Sequence, residues 1–84
     1  DAPTERGIKH LGELEECVRA GYEAYILFVI QMKGIELFVP NRETHPQFAE
    51  ALKKAQSAGV NVLVMDSVVT KDSVTIDKKV RYKI

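Results

Sequence analysis

Cysteine is nearly missing from this chain. A single thiol, Cys17, in 84 residues rules out an internal disulfide. No histidine or second cysteine stands in register with it for nucleophilic catalysis. A small soluble chain without disulfides fits a reducing compartment, and the expected location is cytoplasmic. Histidine is as scarce: His10 and His45 are too far apart in sequence to make a metal site. Long apolar runs are absent too. The longest, residues 24–30, is far too short to span a bilayer, so no membrane partner is expected. No positively charged leader precedes an apolar run, so no signal peptide is expected. Repeats and low-complexity tracts are also lacking.

What is present is a globular composition. Hydrophobic residues make up 45%, too many for a disordered chain. At this length there is one domain at most, with a modest core. Lys plus Arg and Asp plus Glu number 12 each and cancel, but unevenly. Residues 1–50 hold nine acids and five bases, whereas residues 51–84 hold three acids and seven bases. Lys78, Lys79, Arg81 and Lys83 crowd the tail. Such a tail can attract phosphate; equally, lysines guard the exposed edges of sheets.

Apolar periodicity gives the order of elements. Ile8, Leu11, Leu14 and Val18 recur at helical spacing, predicting a helix over residues 4–20 with Thr4 as N-cap and Gly21 as the left-handed stop. Residues 24–30 are apolar on both faces, which fits a central strand covered on both sides. Residues 35–39 make a short extension, ended by Pro40-Asn41. Pro46 suits the first position of a second helix over residues 46–58, with Phe48, Ala51, Leu52 and Ala55 as its stripe. Residues 60–69 read as a strand with Val60, Val62, Val64 and Asp66 on one face. Short strands at 74–76 and 80–84 follow a turn at residues 71–73. The fold class is α/β, in the order α-β-α-β plus a terminal β-hairpin. The β-α-β unit calls for parallel strands. Two parallel strands do not make a domain, and the first helix begins almost at once after Asp1. The expectation is therefore that partner strands lie upstream and that residues 1–84 are the C-terminal part of a larger protein.

Polar groups are densest near the start. Arg6, Lys9, His10 and Glu13 share one side of the first helix, opposite Ile8, Leu11 and Leu14. Arg6 lies in the first turn, where the helix dipole disfavours a cation. The set reads either as a phosphate site or as an ordinary solvated face. Other candidates have plainer readings. Asp77-Lys78-Lys79 matches D-x-K, but it falls in a hairpin with no second acid in a suitable position, and coincidence is the expectation. Asp66 is expected as a surface acid at a strand end, His45 as a cap or surface residue, and Met32 and Met65 as core fillers.

One string is more specific. Asp1-Ala2-x-Thr4-x-Arg6-Gly7-x-Lys9-His10-Leu11-x-Glu13-Leu14 resembles the signature of the sugar fermentation stimulation protein (SfsA) family. Gly21 with residues 24–31, Pro46-Gln47-Phe48-Ala49 and residues 58–63 are similar to later parts of that family. His45-Pro46 and Phe48 depart from the Asp-Pro and Tyr that its members carry; Glu43 is the nearest acid. The resemblance implies an OB-like N-terminal part and a C-terminal domain similar to the PD-(D/E)xK nuclease fold. In such a fold an acid and an E-x-K strand, here expected upstream of Asp1, hold Mg²⁺. It also implies a DNA-binding protein with a regulatory role in sugar metabolism. On this reading Arg6, Lys9, Lys78, Lys79 and Arg81 contact DNA, while Lys9 and His10 support chemistry at the phosphate. No metal ligand is expected within the chain, and Mg²⁺ would belong to the full-length protein. The alternatives are a metal-dependent nuclease with its acids upstream, or a plain interaction module whose strand edges pair into a homo-oligomer.

Overall fold

A computed structural model describes residues 2–84, with side chains from Thr4 onward. The first helix, α1, spans Ala2–Arg19, and the second, α2, Pro46–Ser57. Both end in the same way. Gly21 (φ 95°) and Gly59 (φ 108°) take the left-handed conformation. The Tyr22 N–H then reaches back to the Cys17 carbonyl, and the Val60 N–H to that of Ala55. These bonds satisfy carbonyls that the helix ends would otherwise orphan. Pro46 opens α2, where a missing N–H does no harm. Thr4 is not the N-cap expected for α1. The helix starts two residues earlier, so Thr4 lies in its first turn and bonds elsewhere.

Five strands follow: β1 Tyr25–Ile30, β2 Leu37–Phe38, β3 Asn61–Val69, β4 Val74–Lys79 and β5 Arg81–Tyr82. The main sheet has the order β1-β3-β4. β1 and β3 run parallel, from Tyr25 opposite Asn61 to Ile30 opposite Asp66. The Asn61 backbone N–H and side-chain amide both donate to the Ala24 carbonyl, at 2.9 and 3.1 Å. β3 and β4 pair antiparallel, with an irregularity between Met65 and Ser67. The terminal hairpin expected from residues 74–76 and 80–84 does not form: residues 77–79 continue β4, which folds back on β3. β5 instead pairs parallel with β2 in a separate small sheet. Between β4 and β5, Val80 is buried and its N–H donates to the Val64 carbonyl of β3.

Both helices lie on one face of the main sheet. Leu11 from α1, Leu52 and Ala55 from α2, and Val60, Val62 and Val64 from β3 form the core, with Ile26, Phe28 and Ile30 of β1 against it. Glu15 is buried between the helices, 3.8 Å from Lys54 and 4.0 Å from Arg19. The central position expected for residues 24–30 is not what this chain shows. β1 is an outer strand, and Tyr25, Leu27 and Val29 on its other face are exposed. Met65 is half-buried, but Met32 is exposed and fills no core.

Candidate nucleic-acid interface

The N-terminal cations ride on α1. Arg6 and Lys9 are exposed, as is His10, whose Nδ1 lies 3.9 Å from the Glu13 carboxylate. The C-terminal set sits on the outer strands: Lys78 and Lys79 on β4 and Arg81 on β5, all exposed. Among the described residues, none of Arg6, Lys9, Lys78, Lys79 or Arg81 enters an ion pair. The molecule therefore presents two groups of uncommitted positive charge among the described residues, one on α1 and one on β4 and β5. An ammonium or guanidinium without a carboxylate partner is the group a phosphate recruits. On β4 the lysines also stand where edge strands carry guarding charge.

Gly7 belongs to the same stretch for a steric reason. A Cβ there would lie 2.9 Å from Phe48 Cε1, so the bare backbone lets α1 approach α2 at this point. Phe48 in turn packs edge-on to Phe28, with centroids 6.2 Å apart. One turn earlier, Thr4 Oγ1 lies 3.4 Å from His45 Nδ1. His45 caps nothing with its side chain; its ring is turned to α1 instead. Thr4, Asn41, His45, Phe38 and Phe48 line a groove of about 510 Å³ beside the first turn of α1. Its loop wall is held by Asn41, whose Oδ1 accepts the N–H groups of Glu43 and Thr44.

A third cluster lies at the other end of β1 and corrects two expectations. Asp66 is no surface acid: it is only 7% exposed. Its Oδ1 accepts the Lys78 N–H at 2.8 Å, and its Oδ2 lies 2.9 Å from Lys33 Nζ. Asp77, expected to have no acidic neighbour, shares that Lys33 ammonium, at 2.5 Å. The Lys78 amide, followed by Lys33, holds the Asp66 carboxyl below its ordinary range. Asp77 first, and then Asp66, raise the Lys33 amine above its own. The arrangement is a clip between the segment after β1 and the β3–β4 hairpin. It does not fit a metal. One ammonium already occupies the space between the two carboxylates, and no group of three potential ligands exists among the described residues. The alternation of residues 60–66 places Asp66 on the buried face; nothing in the sequence points to Lys33.

Comparison with known proteins agrees with the sequence string. The family model described as the sugar fermentation stimulation protein RE domain matches residues 1–73. A sugar fermentation stimulation protein homolog of Clostridium beijerinckii is 54% identical over 76 residues, 90% of this chain and 34% of the relative. The homolog of Ruminiclostridium cellulolyticum is 49% identical over 84 residues, all of this chain and 37% of its own length. Among solved structures, Pyrococcus furiosus SfsA in complex with Ca²⁺ superposes with a TM-score of 0.82 at 28% identity, covering 94% of this chain and 35% of that one. The chain thus spans about a third of the length of the relatives it matches.

Proposed function

From the premise that this chain belongs to the sugar fermentation stimulation protein family, we propose that it forms part of a DNA-binding domain of the PD-(D/E)xK nuclease-like kind, in a protein that regulates sugar-metabolism genes. The rest of such a protein would carry the catalytic-type strands and an OB-like domain. Arg6 and Lys9 on α1, with Lys78, Lys79 and Arg81 on the outer strands, would contact phosphates. The observation that carries this reading is that all five cations are exposed and unpaired among the described residues. No array of base-reading side chains accompanies them among those residues, so binding is driven by counterion release and has little sequence preference. The test is the salt dependence of DNA binding by the intact protein. Each lost phosphate contact lowers the slope by about one, so Arg6→Ala with Lys9→Ala should lower it by about two. A binding constant indifferent to salt would sink the proposal.

One observation favours a second reading, a metal-dependent nuclease: the Pyrococcus furiosus relative was solved in complex with Ca²⁺. Residues 4–84 offer no carboxylate set for such an ion, so its ligands would have to come from outside them. Lys9 and His10 would then assist at the scissile phosphate, Lys9 by holding an oxygen and His10 by orienting it. Cleavage of DNA by the intact protein with Mg²⁺ or Mn²⁺, absent with a chelator, decides between the two readings.

A further inference from the structure

The groove of about 510 Å³ beside the first turn of α1 has an aromatic floor. Three phenylalanines build it. Phe28 of β1 stacks on Phe38 of β2, with ring centroids 5.5 Å apart and planes 27° from parallel, and meets Phe48 of α2 edge-on at 6.2 Å. Phe28 takes one side of Phe38. Phe38 and Phe48 stay half-buried, with ring surface left to line the groove. Its volume lies within the range of small-ligand sites. The rim is polar. Asn41 Oδ1 is used by the loop, but its Nδ2 has no hydrogen-bond partner among the described residues. His45 Nδ1 faces Thr4 Oγ1, which leaves Nε2 as the open nitrogen of the ring. Cations stand on the adjoining strand. β5 runs beside β2, with Arg81 opposite Leu37 and Tyr82 opposite Phe38, and the Lys83 N–H donates to the Phe38 carbonyl. Arg81 and Lys83 are exposed and enter no ion pair among the described residues. Nearby, Arg42 is committed to Glu50 at 3.5 Å, and Glu36 and Glu43 are exposed acids.

A ligand that suits this groove has a flat apolar face, a hydrogen-bonding edge and negative charge beside it. A nucleobase on its phosphate strand has all three. A duplex keeps its bases stacked inside, so an unpaired strand is the form that offers one. We propose that the groove receives one nucleobase of single-stranded DNA. The base stacks on Phe38 with Phe48 as a side wall, Asn41 Nδ2 and His45 Nε2 meet its edge, and Arg81 and Lys83 hold the flanking phosphates. The inference rests on the DNA-binding reading and adds to it a preference for unpaired strands. Stacking accepts every base, since each has a π face, so sequence preference stays low.

The experiment measures DNA binding by the intact protein. The ligands are a single strand, its duplex, and an abasic single strand of the same length, which keeps the phosphates and lacks the bases. The single strand should bind about tenfold more tightly than the abasic strand. Phe38→Leu, which keeps an apolar side chain without a ring, should bring that factor close to one. His45→Ala removes an exposed side chain that caps nothing, and should lower the factor about threefold, as loss of one hydrogen bond does. Duplex binding should be unchanged by either substitution. Where Phe38→Leu weakens duplex binding as well, the sign of a damaged fold, His45→Ala decides. A factor near one in the unsubstituted protein, or one that His45→Ala leaves untouched, overturns the inference. Those outcomes leave the salt slope in place and so spare the DNA-binding reading; a slope of zero on every ligand sinks both.

Discussion

At the scale of single residues, Lys33, Asp66 and Asp77 carry the clearest pH signature. The Asp66 carboxyl is held low, chiefly by the Lys78 N–H and then by Lys33. A depressed acid adds stability above its unfolded value, about 3.9, and loses it as pH falls through the lower folded value. The Lys33 amine is raised, chiefly by Asp77. Its contribution is complete below the ordinary lysine value of about 10.4 and disappears as pH climbs through the higher folded value. Thermal melts should therefore give a plateau from roughly pH 4 to pH 10, falling on both sides. Asp66→Asn should melt lower on the plateau and show a shallower acid limb. An acid limb unchanged by Asp66→Asn would refute the clip. Little of this cluster was legible in the sequence: alternation put Asp66 in line with Val60, Val62 and Val64, yet it was expected as a surface acid, and its burial depends on partners from other segments. Lys33 was not legible, because it reaches Asp66 and Asp77 from a bend whose path only tertiary folding sets.

Within α1, two glycines separate helix propensity from packing. In a helix interior, alanine is more stable than glycine by about 1 kcal/mol. Gly12 faces open space, with nothing within 4 Å of where a Cβ would stand, so Gly12→Ala should gain roughly that amount. A Cβ at Gly7 would meet Phe48 at 2.9 Å. Gly7→Ala should therefore end at least about 1 kcal/mol below Gly12→Ala, as read from denaturant midpoints. Equal gains at both sites would show that Phe48 yields freely and that Gly7 has no packing role. In α2, Leu52 is fully buried beneath the sheet, and Leu52→Ala should be destabilising by about 2–5 kcal/mol. That is a large part of what a domain of this size possesses. The helix stripes and both C-terminal glycines were readable, since they depend on neighbours three to five residues away. The start of α1 was not. Thr4 is a good cap by type, but its hydroxyl finds His45, 41 positions along the chain.

For the whole molecule, the question is what these 84 residues can do. Residues 1–84 by themselves should show no nuclease activity with Mg²⁺ or Mn²⁺. Fixing a catalytic cation takes clustered, available carboxylates, and the pair that does meet, Asp66 and Asp77, already shares the Lys33 ammonium. The comparison is between the piece and the intact chain, each with metal on single- and double-stranded DNA. Robust cleavage by the purified piece, abolished by Asp77→Ala, would overturn this assignment.

The sequence by itself determined the α/β class, the order of elements, the apolar faces and the family, through the Arg6-Gly7-x-Lys9-His10-Leu11 string. Each of these is written in short-range spacing, where periods of 3.6 and 2 and capping residues act over a few positions. Only the tertiary structure decided that β4 pairs with β3 while β5 pairs with β2. It also decided that β1 stands at an edge, and that Asp66 is buried under Lys33 and the Lys78 amide. Those outcomes depend on contacts between residues 12 to 44 positions apart. Closing such loops is an entropic cost repaid only when the whole core assembles, so no local pattern records it.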